Sequence, residues 1–301
     1  MASGVIVERK VVVKGRLSAY FALTKPRIIE LLLITTVPSM VIAAGGWPGT
    51  WLVLTTLIGG TMSAAGANAL NCYLDRDIDR VMRRTARRPL PSHTILPNQA
   101  LLFGSVLGLT GFLWLGVFTN WLAASVSTGA LLFYVFVYTR WLKRNSVQNI
   151  VIGGAAGAAP ALVGWAAVTG QINLPAWVLF AVVFYWTPPH FWALAIRYRD
   201  EYAAAAVPML PVMRGVEATT RQMVLYAGLT AITSLLLVPV AGMGWIYLVA
   251  AVGLGAWFLI DSFRVRRDPQ RAMVLFTNST YYLGLLFLAA MADVLVRSLL
   301  R

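Results

Sequence analysis

The chain has 301 residues, of which 59% are hydrophobic and 12% are charged. Soluble domains carry about 25% charged residues, so this balance excludes an ordinary soluble enzyme and points to an integral membrane protein. The formal net charge of +14 would suit a nucleic-acid partner if the bases shared one surface, but they fall between apolar spans, and no nucleic acid is expected.

Residues 1–27 form a charged segment, read as cytoplasmic, and no apolar stretch with a small-residue cleavage site follows it, so no cleaved signal peptide is read. Nine mainly apolar segments come next, each close to the roughly 20 residues that a helix needs to cross a bilayer. They run over 28–45, 51–74, 99–118, 120–138, 149–168, 174–196, 222–242, 244–263 and 273–296. The break between the third and fourth is a short polar stretch at Thr119–Asn120, and one long helix is its alternative. The expectation is a single all-α membrane domain over 28–301, with nine transmembrane helices.

The bases orient these spans. All of the 25 Lys and Arg residues except Arg297 and Arg301 lie in the N-terminal segment or after spans 2, 4, 6 and 8. The connections after spans 1, 3, 5 and 7 contain none. Because Lys and Arg accumulate on the cytoplasmic side of short loops, the N-terminus is expected inside and the C-terminus outside the cell membrane. The lone cysteine, Cys72, rules out an intrachain disulfide.

Span 2 ends in ANALNCYLDRDIDRVMRRTARRP, residues 67–89. Asn71, Asp75 and Asp79 are spaced i, i+4, i+8 and lie within about 80° of one another on a helix, with Asn68 on the same face. Carboxylates near hydrocarbon are costly and mark functional sites. Oxygen ligands of this kind suit Mg²⁺, which takes one or two carboxylates, keeps waters and binds substrate phosphates. Arg84 and Arg88 follow as candidate anion ligands, since guanidinium grips phosphate oxygens bidentately. Asp77 points away and is expected to pair with Arg76 or Arg80 in water.

After span 4, Tyr138, Lys143, Arg144, Gln148 and Asn149 cluster in a segment read as a loop. Lys143 and Arg144 are either topological bases or ligands of a diphosphate. In span 6, Pro188 and Pro189 are expected to disturb the helix because each lacks an N–H. His190 follows them, flanked by Trp186, Phe191 and Trp192, and is either a helix–helix hydrogen bonder or part of a pocket wall for a flat substrate. Asp200 and Glu201 come next, as second metal ligands or as loop charge.

These residues resemble the intramembrane, UbiA-type prenyltransferase superfamily, and within it a haem-modifying branch. The resemblance rests on LTKPRI at 23–28, NCYLDRDID at 71–79, RTARRPLP at 84–91, YTRWLKR at 138–144, NIVIGGAAGAAP at 149–160, TPPHFWALA at 187–195 and DEYAAAAVPMLP at 200–211. It implies a nine-helix bundle around a central cavity, with an allylic diphosphate held by Mg²⁺ on two acidic motifs. Asn71, Asp75 and Asp79 would be the metal motif and, with Arg84 and Arg88, the catalytic set. Asn68, Tyr138, Lys143, Arg144, Asn149, His190, Asp200 and Glu201 would bind substrates. The implied reaction transfers farnesyl from farnesyl diphosphate to a vinyl group of haem b with addition of water. Its product, haem O, would serve haem-copper oxidases, and a haem A synthase is a candidate partner beside membrane lipid. His190 would contact haem as axial ligand or polar neighbour.

Three features depart from the pattern of the superfamily or of its haem-modifying branch. Cys72 stands where other branches carry aspartate, a departure the haem-modifying branch shares. Asp200 and Glu201 are adjacent where the superfamily usually has two aspartates four apart. Ala206 stands where the haem-modifying branch usually has glycine. An aromatic quinone or chlorophyll precursor is the alternative acceptor. A membrane transporter is the alternative of another class, disfavoured because the acids gather at one membrane face.

Overall fold

The computed structural model describes residues 15–300. Arg9, Lys10, Lys14 and the side chain of Arg27, which count among the orienting bases of the N-terminal segment, lie outside the described residues, as does Arg301. Among the described residues the regular structure is helical. A short helix α1 (Arg16–Leu23) leads into α2 (Pro26–Ala44), α3 (Thr50–Leu74), the short α4 (Arg76–Val81) and α5 (Pro97–Phe118). Then α6 (Trp121–Leu132) runs without a break into a π-helical stretch, Phe133–Leu142, and a last turn, α7 (Lys143–Asn145). The second half has α8 (Asn149–Thr169), α9 (Leu174–Arg197), the short α10 (Arg199–Ala204) and α11 (Leu210–Met213), and α12 (Gly215–Ala241), α13 (Trp245–Arg267) and α14 (Ala272–Leu299).

Eight helical units among the described residues are long and apolar enough to cross a membrane, and α2 adds a shorter apolar stretch, Leu33–Ala44. The nine expected segments therefore correspond to eight full spans plus α2. The division at Thr119–Asn120 is real: the Asn120 side chain accepts from the Ala123 N–H at 2.9 Å and caps α6, so a fresh helix starts there. The segment read as a loop after span 4 is helical through Asn145, so Arg140, Lys143 and Arg144 sit on the last turns of a span. Long basic side chains permit this, because their stems stay in apolar surroundings while their charges reach polar ones. The paired prolines do not interrupt α9, which is continuous from Leu174 to Arg197. Packing against α8, α12 and α14 holds it in place.

Association of helices in lipid depends on close backbone approach. At the α3–α5 contact a Cβ added at Gly66 would lie 2.7 Å from the Gly104 oxygen and the Gly108 nitrogen, so these backbones touch only because side chains are missing. The outer surface is apolar, with Leu102, Val106, Leu109, Val249 and Val252 exposed. Trp47, Trp51, Trp121, Trp177 and Trp245 are exposed too, and each flanks one of the four connections that lack Lys and Arg. Tryptophan favours the membrane–water boundary, so this ring marks one edge of the apolar layer and the bases mark the other. The chain is an integral membrane protein.

Candidate active site

The acidic stripe forms because α3 and α4 are almost one helix. Asp75 joins them at φ −87° and ψ 5°, and the ladder continues through Asp75 N–H to Asn71 O at 2.9 Å and Asp79 N–H to Asp75 O at 2.8 Å. The expected i, i+4, i+8 face is thereby kept. Asn68, Asn71, Asp75 and Asp79 are all buried.

Burial obliges each acid to find a partner, since an uncompensated charge in a low-dielectric interior costs several kcal/mol. The partners come from distant segments. Lys143 Nζ donates to Asp75 Oδ2 at 2.5 Å, and Asn71 Nδ2 donates to the same oxygen at 2.9 Å. Asn71 also donates to Thr139 Oγ1 at 2.9 Å and accepts from Lys25 Nζ at 2.6 Å. Arg88 Nη1 donates to both Asp79 oxygens, at 2.9 and 2.8 Å. Asn68 Nδ2 donates to Thr24 O at 2.9 Å, tying the entry of α2 to the stripe.

The π-helical stretch contributes part of this geometry. Thr139 Oγ1 donates to Tyr134 O, five residues back, at 2.8 Å. π-helical turns are rare and recur at functional sites. Here the stretch brings Tyr134, Tyr138 and Thr139 to the stripe, with Tyr134 and Tyr138 stacked at 5.3 Å.

Lys25 is a member of the site that sequence reasoning counted only among topological bases. It precedes Pro26 at the start of α2 with φ +52°, a left-handed conformation that costs a non-glycine residue about 1–2 kcal/mol. Burial pushes its ammonium below the usual lysine range, against the opposing pull of nearby Cys72 and Asp75. One signal was available: a cation at a helix N-terminus opposes the helix dipole, so its presence there calls for an anionic partner. Thr139 carried no such signal, because its place depends on the π-helical register.

Asp77 does point away from the stripe, but its partner is neither Arg76 nor Arg80. Arg144 Nη1 and Nη2 each donate to it at 2.7 Å, and Nη2 also donates to Leu74 O at 2.8 Å. The hydrogen bonds from Arg144 hold the Asp77 carboxyl at about 2. Arg144 is thus engaged with Asp77 at the rim, whereas Lys143 reaches the buried Asp75.

One oxygen of the cluster is orphaned. Asp75 Oδ1 is buried without a hydrogen-bond partner, as is Asn149 Oδ1 at the start of α8. Asn149 Nδ2 donates to Pro208 O at 3.4 Å. A buried acceptor without a donor costs about 1–3 kcal/mol, so the Asp75 position fits a hard cation or another donor. Among the described residues no three His, Cys, Asp or Glu side chains group as a self-sufficient metal site. A cation at Asn71, Asp75 and Asp79 would take further ligands from water or from a substrate phosphate.

Below the stripe lies a cavity between α2, α3, α6 and α8, lined towards the stripe by Asn68 and Tyr134 and reaching Thr56 and Gly60. Its other walls are mostly apolar or small, among them Leu33, Ala64, Ala130 and Ala156.

His190 stands elsewhere, on α9 against α14. Its ring is sandwiched between Trp186 and Phe276, at centroid distances of 4.3 and 4.4 Å. Its Nδ1 is 2.7 Å from Ser279 Oγ, and Trp186 Nε1 donates to Ser279 O at 2.8 Å. Ser279 Oγ donates its one proton to Phe276 O at 2.8 Å. That network ties the His190 ring to α14 through Nδ1 and so fixes its orientation.

The second acidic stretch is different. Asp200 is exposed and Glu201 is half-buried. Glu201 Oε2 accepts from the Arg84 backbone N–H at 3.2 Å, while the Arg84 side chain donates to Tyr202 OH at 3.2 Å and lies 5.0 Å from the Tyr198 ring centroid. Arg84 therefore clasps the loop after α4 to α10, with its guanidinium beside tyrosines. Cys72 is buried in a small apolar cluster with Ala19, Leu23 and Ile95, behind the stripe.

The chain resembles known proteins over nearly its whole length. The chain is 54% identical over 296 residues to the protoheme IX farnesyltransferase of Clavibacter michiganensis subsp. michiganensis, covering 96% of this chain and 97% of that protein. It is 54% identical over 280 residues to the protoheme IX farnesyltransferase of Frankia alni, covering 91% and 97%. Among solved structures, digeranylgeranylglyceryl phosphate synthase matches with a TM-score of 0.77 at 20% identity, covering 94% of this chain and 100% of that one. A UbiA homolog from Archaeoglobus fulgidus bound to DMAPP and Mg²⁺ matches with a TM-score of 0.69 at 15% identity, covering 90% and 98%. These structures share the helical bundle, and residues 32–294 match the UbiA prenyltransferase family. The chain belongs to the UbiA prenyltransferase family.

Proposed function

We propose that this protein transfers the farnesyl group of farnesyl diphosphate to a vinyl group of haem b, with addition of water, and so makes haem O. The observation that carries the reading is the buried Lys25–Asn71–Asp75–Lys143 cluster, with an orphaned carboxylate oxygen, above an apolar cavity. The near full-length relatives named protoheme IX farnesyltransferase support the choice of substrates.

In this reading the diphosphate lies at the polar end and the farnesyl chain descends past Asn68. Lys25, Lys143, Arg84 and Arg88 supply cations to the departing diphosphate, an electrostatic stabilisation of a leaving group. Mg²⁺ held by Asn71, Asp75 and Asp79 would add positive charge to the same oxygens when bound. The C1–O bond breaks and the diphosphate leaves with the electron pair. The vinyl π electrons form the new bond to farnesyl C1. The carbocation left next to the porphyrin ring takes up water and releases a proton. Asn68 and Tyr134, with Tyr138 stacked on Tyr134, border the end of the cavity where this occurs, and the apolar walls keep other water from the allylic cation. His190 is the polar side chain that contacts the haem, and Asn149 borders the polar end. Glu201 acts at the rim, through Arg84, and Asp200 is a solvent-facing charge rather than half of a second buried metal pair.

We also assign the polar end to the cytoplasmic side and the C-terminus to the outside, because the Lys- and Arg-bearing connections share that end. A haem A synthase is the partner that would receive the product. The test is the mass of the porphyrin formed when the purified protein meets farnesyl diphosphate, haem b and Mg²⁺. Haem O is the expected product. Prenylation of a phenolic acid with no change to haem would replace the acceptor, and substrate flux across liposomes without diphosphate release would overturn the enzyme.

A further inference from the structure

We propose that Gly60 on α3, with Gly157 on α8, sets the length of prenyl chain that the cavity accepts. The inference rests on the reading that a prenyl diphosphate binds with its chain descending past Asn68. Both glycines line the cavity. A Cβ added to either meets no atom within 4 Å, so each leaves open space at its Cβ position. Neighbouring glycines behave otherwise. A Cβ at Gly59 would lie 2.6 Å from Leu115 Cγ, and one at Gly153 would lie 2.3 Å from Tyr138 Cδ2. Those two serve helix contacts and ring packing, whereas Gly60 and Gly157 serve open volume.

The level of Gly60 makes the inference quantitative. At 1.5 Å of rise per residue, α3 descends about 12 Å from Asn68 to Gly60 and about 18 Å from Asn68 to Thr56. An extended chain advances about 1.2 Å per bond, so the eight main-chain carbons of geranyl span about 8 Å and the twelve of farnesyl about 13 Å by that measure. A geranyl chain entering at Asn68 ends above Gly60. A farnesyl chain passes Gly60 and ends above Thr56, which is buried and hydrogen-bonded to Leu52 O at 2.7 Å. The third isoprene unit thus occupies the volume that Gly60 leaves open.

The test compares the full-length purified protein with Gly60→Leu, Gly157→Leu and the milder Gly60→Ala, offering geranyl and farnesyl diphosphate with haem b and Mg²⁺. The expected result is a rise of at least tenfold in the geranyl-to-farnesyl ratio of kcat/KM for Gly60→Leu. Gly157→Leu should shift the ratio the same way, and Gly60→Ala should do so by a smaller factor. Gly129→Leu is the control, because Gly129 has equally open surroundings but is off the cavity wall, and it should keep the wild-type ratio. Should Gly60→Leu fail to fold, the other two cavity variants decide. A ratio within twofold of wild type in every folded cavity variant overturns the proposal, as does a Gly129→Leu shift as large as theirs. Donor-induced thermal stabilisation without haem separates this inference from the acceptor assignment. If the wild type prenylates no porphyrin, yet farnesyl diphosphate stabilises it more than geranyl diphosphate and Gly60→Leu reverses that order, the chain-length role stands and the haem reading falls.

Discussion

Two acidic stretches stand at the polar end of this bundle, one after α3 and one after α9, and the structure treats them in opposite ways. After α3, Asp75 and Asp79 are buried, and each is met by a cation from another segment, Lys143 or Arg88. After α9, Asp200 is exposed and Glu201 accepts from a backbone N–H of the loop that follows α4. The two motifs look like echoes in sequence because both follow an apolar span. Their electrostatic standing differs because burial multiplies the cost of a charge, and an exposed carboxylate is worth little. The teaching is that an acid at a span end is a site residue when neighbouring segments bring cations to it.

The sharpest way to break that contrast is at the buried acid. Asp75→Asn should lower haem O formation by at least about 100-fold, the scale on which losing one preorganised electrostatic group slows an enzyme, measured as turnover per folded protein in detergent. Near wild-type turnover would remove Asp75 from the reaction. At the exposed acid, Asp200→Asn should slow the same assay by less than about fivefold, equivalent to ~1 kcal/mol. A loss as large as that of Asp75→Asn would make the two stretches functional equals. The smallest effect concerns backbone alone. Ala206 has φ +52°, which accounts for the glycine that the haem-modifying branch usually places there. Ala206→Gly should raise thermal stability by about 1 kcal/mol through relief of that conformation, with turnover unchanged; a lower Tm would mean the loop needs the Ala206 side chain.

Much of this was legible in one dimension. The spans follow from apolar length, and Thr119–Asn120 is a helix break because Asn120 caps α6. The acidic face of Asn68, Asn71, Asp75 and Asp79 follows from helical period, which the short joint at Asp75 preserves. Partner choice was not legible. Asp77 pairs with Arg144 rather than with its neighbours Arg76 or Arg80, because the end of the π-helical span lies beside α4. Lys143 and Arg144 are adjacent bases, and only packing sends one to buried Asp75 and the other to exposed Asp77.

By itself the sequence determined the membrane class, the spans, the acidic stripe and the kinship to an intramembrane prenyltransferase superfamily, since hydrophobic length and residue period are local properties of a chain. Tertiary structure alone decided that Lys25 and Thr139 join the site, that Ser279 holds the Nδ1 side of His190, and that Gly60 faces open volume while Gly59 does not. Those outcomes depend on which helices meet, at what rotation and how closely, and side-chain pairing at that range is set by packing.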